Sequence, residues 1–332
     1  MNLYLKNGYM DMKSIRETGF PFIFIAAARG TGKTYGGLKD LYELGKPIIQ
    51  LRRTQKEADL QSIPDGTSYK KIFNNLGIEY SVKKVKDVGI VYDNTNDKEV
   101  CYNLALSTVA TIRGFDFSEI KHVFYDEFIA ESHVKKMKHE GMAFANFYES
   151  VNRNRELEGH KPLQVICAAN SVNMANDIFM YFDLIQHAEE LINRQEDYKI
   201  IGNKLLIIPQ HSPISEKKSS TALYKAVNSE FSDMAISNKF ILNDQSYVKN
   251  RNLTEYRCSF RIGDLYFYQH KTKKHYYVTF QKGQCSEEYP GGYAGLKQAK
   301  RAKWRFVSYY LDGKIFFESY RCIALFEKYF DI

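Results

Sequence analysis

The sequence has no apolar run long enough to cross a membrane. Its most hydrophobic stretch, Phe20 to Ala28, is nine residues long and ends at Arg29, whereas a spanning helix needs about 20 such residues. The N-terminal residues lack the apolar core of a signal peptide. Cysteines are few and odd in number: Cys101, Cys167, Cys258, Cys285 and Cys322, with no C-x-x-C spacing. Neither a disulfide framework nor a zinc site follows, and a reducing cytoplasm suits them. Seven prolines and 20 glycines in 332 residues exclude a collagen-like or disordered chain. No repeat or low-complexity tract interrupts it. With 44% apolar residues, the chain can bury the core of one large domain or two ordinary ones.

The charge is unevenly placed. Residues 1–210 hold 27 basic and 27 acidic side chains, and residues 211–332 hold 20 and 12, so the whole net charge of +8 lies in the last 122 residues. Such asymmetry points to a polyanion met by the C-terminal part.

Patterning divides the chain in the same way. Phe22 to Ala26 reads as a strand buried on both faces, Lys33 to Leu44 as a helix and Ile48 to Leu51 as a second strand. Tyr69–Leu76 reads as a helix. Ile90–Tyr92 and Val100–Leu106 read as strands around a turn, His122–Tyr125 as a strand, Phe144–Asn152 as a helix and Leu163–Ala169 as a strand. Alternation of this kind predicts an α/β domain with a mostly parallel sheet over 1–208. The polar stretch 209–225 is the linker candidate. Within 226–332, Tyr256–Ile262, Leu265–His270 and His275–Phe280 predict an antiparallel meander. A basic helix Gly295–Leu311, a strand Ile315–Phe317 and a helix Arg321–Phe330 follow.

The sharpest motif is Ala27-Ala28-Arg29-Gly30-Thr31-Gly32-Lys33-Thr34. It matches the P-loop pattern G-x-x-x-x-G-K-[ST] except that Ala27 replaces the first glycine. Small residues let backbone N–H groups converge on phosphate oxygens at a helix N-terminus, whose dipole favours negative charge. Lys33 is the residue for the β- and γ-phosphates and Thr34 the hydroxyl for Mg²⁺. Ala27 puts the backbone angles of the first position in question. Ninety-three residues beyond Lys33, Asp126 and Glu127 close a buried strand. Asp126 suits Mg²⁺, and Glu127 suits a base that orients the attacking water. Asn170, at the end of a further strand, can sense a γ-phosphate or act as a turn former. Arg153 and Arg155 follow an apolar helix and suit a finger reaching a neighbouring subunit's nucleotide. Arg52, Arg53, Lys56 and Arg113 are weaker candidates for such a contact.

The ordered set AAARGTGKT, LRRTQK, VFYDEF, NRNRE and ICAAN resembles the DNA-packaging ATPases of small tailed phages, in particular Bacillus podophages with protein-primed genomes. The resemblance is carried by motifs over the first 200 residues and by layout alone beyond them. It implies an additional-strand, catalytic-glutamate (ASCE) P-loop domain fuelled by ATP with Mg²⁺. Such a domain assembles as a homo-oligomeric ring, usually a pentamer, on the portal of an empty procapsid in the host cytoplasm, and drives double-stranded DNA inward. In some members a packaging RNA is a docking partner. It assigns Ala28, Arg29, Gly30, Thr31, Gly32, Lys33 and Thr34 to phosphate, Asp126 to Mg²⁺, Glu127 to catalysis, Asn170 to coupling and Arg153 to the trans finger, with Arg155 as alternative. A further trans-acting basic residue falls on Lys56 or is displaced by Gln55.

The family's second domain resembles an RNase H-like nuclease of α+β type. Active nucleases need several carboxylates on two metal ions, the first usually inside the opening strand, yet Arg257–Arg261 contains none. Asp233, Asp244, Asp264, Asp312 and Glu318 remain. The expectation is a vestigial nuclease that grips DNA without cutting it. Lys271, Lys273 and Lys274 in a turn, and Lys297, Lys300, Arg301, Lys303 and Arg305 on one helix, are the phosphate-contact candidates. Against this, the same helix reads as a solvated face over a buried stripe of Leu296, Trp304, Val307 and Leu311. Other readings are a terminase with a working nuclease, a helicase, a nucleotide-dependent adaptor and a small-molecule kinase.

Overall fold

The computed structural model describes residues 1–112, 115–131, 134, 137–171, 173–218, 221, 222, 226 and 247–332. Two compact units result: Met1–Asn173 with His187–Ile241, and Met174–Gln186 with Leu242–Ile332. The second unit is therefore discontinuous. Met174–Gln186, placed by sequence within the domain 1–208, belongs with the C-terminal residues because Ile178 and Phe179 are buried there and their helix packs on the final one. The expected linker 209–225 also differs. Pro213–Lys218 is a helix in the first unit, and Ser212 and Ser215 are buried.

In chain order the first unit runs through α1 (Met12–Glu17), β1 (Phe22–Ala27), α2 (Lys33–Glu43), β2 (Ile48–Arg52), α3 (Gln55–Gln61) and α4 (Tyr69–Leu76). There follow β3 (Tyr80–Val85), β4 (Val88–Asp93), β5 (Lys98–Ala105), β6 (His122–Asp126), α5 (Glu140–Asn152) and β7 (Gln164–Asn170). The chain then forms α6 (Asp177–Tyr181) in the second unit, α7 (Ile185–Arg194), β8 (Tyr198–Ile201), β9 (Lys204–Ile207) and α8 (Pro213–Lys218). Among the described residues the first unit holds a nine-stranded sheet ordered β3-β4-β5-β2-β6-β7-β1-β9-β8. From β5 to β9 every pairing is parallel, while β3–β4–β5 and β8–β9 are antiparallel. β1 is flanked on both sides and its residues Ile23 to Ala27 are fully buried, hence the unbroken apolar run. Ile23, Phe24 and Ile25 each contribute about 1.5–3 kcal/mol by leaving water. β7 lies between β1 and β6, the extra strand after which the additional-strand class is named.

The second unit continues with β10 (Tyr256–Ile262), β11 (Leu265–His270), β12 (Tyr276–Thr279), β13 (Glu287–Tyr289), α9 (Tyr293–Ala302), α10 (Arg305–Leu311), β14 (Ile315–Phe317) and α11 (Tyr320–Phe330). Its five strands are ordered β13-β10-β11-β12-β14. The meander β10–β11–β12 is antiparallel, as its Gly263-Asp264 turn predicts, and the two outer strands pair parallel to it. The single basic helix expected over Gly295–Leu311 is two helices, broken at Lys303-Trp304. Half of its expected buried stripe holds: Leu296 and Val307 pack against the core, but Trp304 is 64% and Leu311 75% exposed, and Gly295, Ala299 and Phe306 face the core instead. A second correction concerns cysteine. Cys258 and Cys285 form a disulfide, because the parallel pair Phe260↔Glu287 aligns the residues two positions upstream of each. No local spacing announces a bond across 27 residues.

Among the described residues, no helix is long and apolar enough to cross a membrane.

Candidate nucleotide site

The site is built from strand ends. In an open parallel sheet, successive strands finish on the same edge, and ligands bind outside their carboxyl ends. Here β1 ends in the phosphate loop, β2 at Arg52, β6 at Asp126 and β7 at Asn170. Ala27 pairs with Asn170 and Asp126 with Ala168 in register, so the four ends lie side by side.

Gly30 and Gly32 adopt φ of +71° and +86°, a region that penalises any side chain. A Cβ on Gly32 would also lie 2.9 Å from the Tyr9 ring. Ala27 sits in the β1 ladder and is not among the positive-φ residues, so the missing first glycine costs the loop nothing. Lys33 opens α2 and is buried. Its ammonium donates to the carbonyls of Ala27 (2.9 Å) and Ala28 (2.8 Å), and reaches Asn170 Oδ1 at 3.4 Å. Burial lowers its pKa to about 7, opposed by Asp126 and reinforced by Lys218. The Thr31 hydroxyl donates to Ala28 O within the loop.

Thr34 Oγ1 donates to Asp126 Oδ1 at 2.9 Å. Asp126 is buried, which raises its pKa against the opposing pull of Arg52. Arg52 donates to Asp126 Oδ2 at 2.6 Å and lies 3.5 Å from Glu127 Oε2. Glu127 has φ of +54°, held by its N–H on Ala168 O at 2.7 Å. This turn aims a carboxylate that is 56% exposed into solvent, its pKa raised chiefly by partial burial.

Arg52 was read as a trans candidate; the structure makes it a cis partner of both acids. The contact follows from β2 lying beside β6, with Leu51 opposite Tyr125. Arg53 points the other way and is buried, gripping Glu140 at 2.6 and 3.1 Å beside the Tyr125 hydroxyl. That pair is structural, and removing one partner would cost about 3–5 kcal/mol.

Arg153 and Arg155 are not brought to the phosphate loop of their own chain. Arg153 follows α5 at φ of +50°, half-exposed, with contacts only to Phe115 O (3.3 Å) and Asp116 (3.7 Å) among the described residues. Arg155 donates to Phe117 O and Ser118 O and is the more firmly held. Lys56 is exposed in the first turn of α3, while Gln55 is bound to Asp59, Asp87 O and Thr108. Of the two, Lys56 is the exposed one. Arg113 lies outside the described residues.

In the second unit the candidates separate. Lys300 pairs with Asp331 at 2.6 Å and Lys303 with Glu287 at 2.8 Å, with Lys303 also over the Phe260 ring. Lys297, Arg301 and Arg305 are exposed. Tyr293, 84% exposed, precedes Lys297 and Arg301 by one and two helical turns, and Trp304 stacks with Arg305. Sequence reading missed these exposed aromatics. Lys271 donates to Thr254 O, and Lys273 and Lys274 are exposed. Of the acids, Glu318 accepts from Thr279, the Phe280 N–H and Gln281. Asp312 pairs with Lys314, and Asp233 and Asp244 lie outside the described residues. Among the described residues, no group of three or more metal-binding side chains is found.

Residues 8–271 match the family model of the Podovirus DNA encapsidation protein (Gp16). The DNA packaging protein of Bacillus phage phi29 is 23% identical over 235 residues, 69% of this chain and 65% of that protein. The DNA packaging protein of Bacillus phage B103 is 25% identical over the same share of this chain and 67% of its own. The chain thus spans about two thirds of the length of these relatives. The solved bacteriophage Phi-29 viral genome packaging motor assembly superposes with TM-score 0.64 at 18% identity, covering 99% of this chain and 100% of that one. The Phi-28 gp11 DNA packaging motor gives 0.64 at 13%, covering 98% and 99%. These two likenesses establish a shared α/β fold. With a family match that spans well over half its length and this fold, the chain belongs to the Podovirus DNA encapsidation protein (Gp16) family.

Proposed function

We propose that this protein is an ATP-hydrolysing motor subunit that moves double-stranded DNA into a viral procapsid. The observation that carries the reading is the convergence, at one sheet edge, of Lys33, the Thr34–Asp126 pair and Glu127. The named relatives, DNA packaging proteins of Bacillus phages, support the substrate.

The loop N–H groups and the α2 N-terminus hold the phosphates. Lys33 exchanges two loop carbonyls for phosphate oxygens, a charge-assisted bond in place of a neutral one. The Thr34 hydroxyl and Asp126 carboxylate are an oxygen pair that fits Mg²⁺, which takes one or two carboxylates beside substrate phosphates. When bound, that ion neutralises charge on the transferring phosphoryl group. Arg52 holds the other carboxylate oxygen, Oδ2, so it can offset the charge of the acids while Oδ1 faces Thr34. Glu127, solvent-facing and with a raised pKa, orients a water and accepts its proton. Arg153, weakly held and half-exposed, reaches the neighbouring subunit's nucleotide, and Lys56 is the second trans candidate. This requires a ring, for which we propose the pentamer docked on the procapsid portal in the host cytoplasm, with a packaging RNA as a third component.

The described part of the second unit supports a nuclease-like fold that grips without cutting: β10 carries no acid and Glu318 is already satisfied by three donors. The functional division we propose follows limits of 1–208 and 226–332, amended by α6, which joins the second unit, and by α8, which joins the first. The test is phosphate release with and without double-stranded DNA and empty proheads. A rate unmoved by either removes the motor reading, and nicking of plasmid DNA with Mg²⁺ or Mn²⁺ removes the non-cutting one.

A further inference from the structure

The segment after β9 packs across the phosphate loop. Tyr4 Oη donates to His211 O at 2.7 Å. At Gly8 an added Cβ would lie 3.3 Å from Pro213 Cβ, so α8 rests on the N-terminal turn. That turn is bonded to the loop in its own right, through Met10 N–H on Thr31 O at 2.9 Å and Tyr9 against Gly32. At the end of α8, the Lys218 ammonium donates to Arg29 O at 2.5 Å. A Cβ added to Gly30 would fall 1.9 Å from that nitrogen. Three successive loop carbonyls, Ala27, Ala28 and Arg29, are therefore held by two ammonium groups, Lys33 and Lys218.

Lys218 has no carboxylate within 4.0 Å among the described residues. Partial burial lowers its pKa, and its charge in turn lowers that of Lys33. Two cations thus face one loop at an electrostatic cost that a bound polyanion removes. Their positions differ. Lys33 sits at the Ala27 end beside Asn170, whereas Lys218 sits at Arg29-Gly30. Arg29 is ion-paired with Glu131, whose charge also acts on Glu127, so this part of the loop borders Glu127. A terminal phosphate must lie on that side for Glu127 to direct a water at it.

We propose that Lys218 is a second phosphate-binding lysine of this site, acting in cis and contacting the γ-phosphate of ATP. The inference rests on the P-loop reading and adds a residue outside every motif. It makes the site discriminate triphosphate from diphosphate through the segment that follows β9.

The test uses the full-length protein and displacement of a fluorescent ADP analogue by ATP or ADP. Lys218→Ala weakens ATP by about tenfold, the scale of one hydrogen bond to a charged group, and ADP by less than about threefold. Lys218→Arg keeps ATP affinity within about threefold of wild type, since the charge is retained. Independently of any variant, ATP but not ADP slows acetylation of Lys218, read by peptide mass spectrometry. Equal losses for ATP and ADP, or no loss with unchanged labelling, overturn the proposal. Lys33→Ala separates the two readings. If it binds nucleotide as wild type does, the P-loop reading fails and Lys218 with it. If it loses both nucleotides while Lys218→Ala loses neither, only the present inference fails.

Discussion

The two units use positive charge in opposite ways. In the first, Lys33, Arg52 and Lys218 are wholly or partly buried, each aimed by a strand end or helix end at one small volume. In the second, Lys297, Arg301 and Arg305 stand exposed on α9 and α10, with no acid pairing them among the described residues. The first arrangement works through the position of single atoms, and the second through summed charge along a face. A site of the first kind leaves a motif in the sequence, because fixed geometry needs fixed spacing. A site of the second kind leaves only an excess of lysine and arginine.

The comparison can be broken by measurement. The largest effect is expected at Glu127→Gln, which should keep ATP binding and lose about 10²–10⁴ in turnover. Near-normal phosphate release would show that single-atom positioning is not what the first unit supplies. Arg153→Ala should lower turnover in the assembled ring by about 10³ without moving the melting temperature, since its contacts are loose. Mixing it with Lys33→Ala subunits should restore some activity, and no complementation would count against a shared site.

In the second unit, Lys297→Ala alone should weaken DNA binding little. The triple change with Arg301→Ala and Arg305→Ala should flatten the log–log salt dependence by about 2.7, at about 0.9 per lost phosphate contact. Lys300→Ala with Lys303→Ala should instead act on stability, through the pairs with Asp331 and Glu287. If the two sets trade effects, the assignment of faces is wrong. The last effect concerns pH and is read in stability, not in turnover. The folded pKa of Lys33 is lowered from 10.5 to about 7, so the unfolded chain binds more protons between those values. Stability of the nucleotide-free protein should therefore gain from this group as pH rises from about 7 toward 10.5. Lys33→Met should remove that slope in urea titrations.

Much of the first unit was legible because its central strands are continuous apolar runs ended by chemistry-bearing residues. Phe22–Ala27, His122–Asp126 and Gln164–Asn170 each announce both strand and site. The edge strands β3 and β8, and β9 beside β8, were not, since Ser81, Lys83, Lys84, Lys199 and Lys204 dilute their patterns. Arg52 looked like a free arginine because its meaning depends on β2 neighbouring β6, a crossover that no local window contains. Lys218 lay in a polar stretch that composition marks as linker. Trp304 fell at a helical spacing that suggests a buried stripe, and only the break between α9 and α10 turns it outward.

One consequence of the discontinuous second unit concerns cutting the chain. The backbone passes between the units at 173–174, 186–187 and 241–242. A single proteolytic nick at the last of these leaves Met174–Gln186 on the larger fragment, although its helix packs with the smaller one. The two pieces are therefore not two independent proteins but partners for fragment complementation, and α6 is the part that one must lend the other.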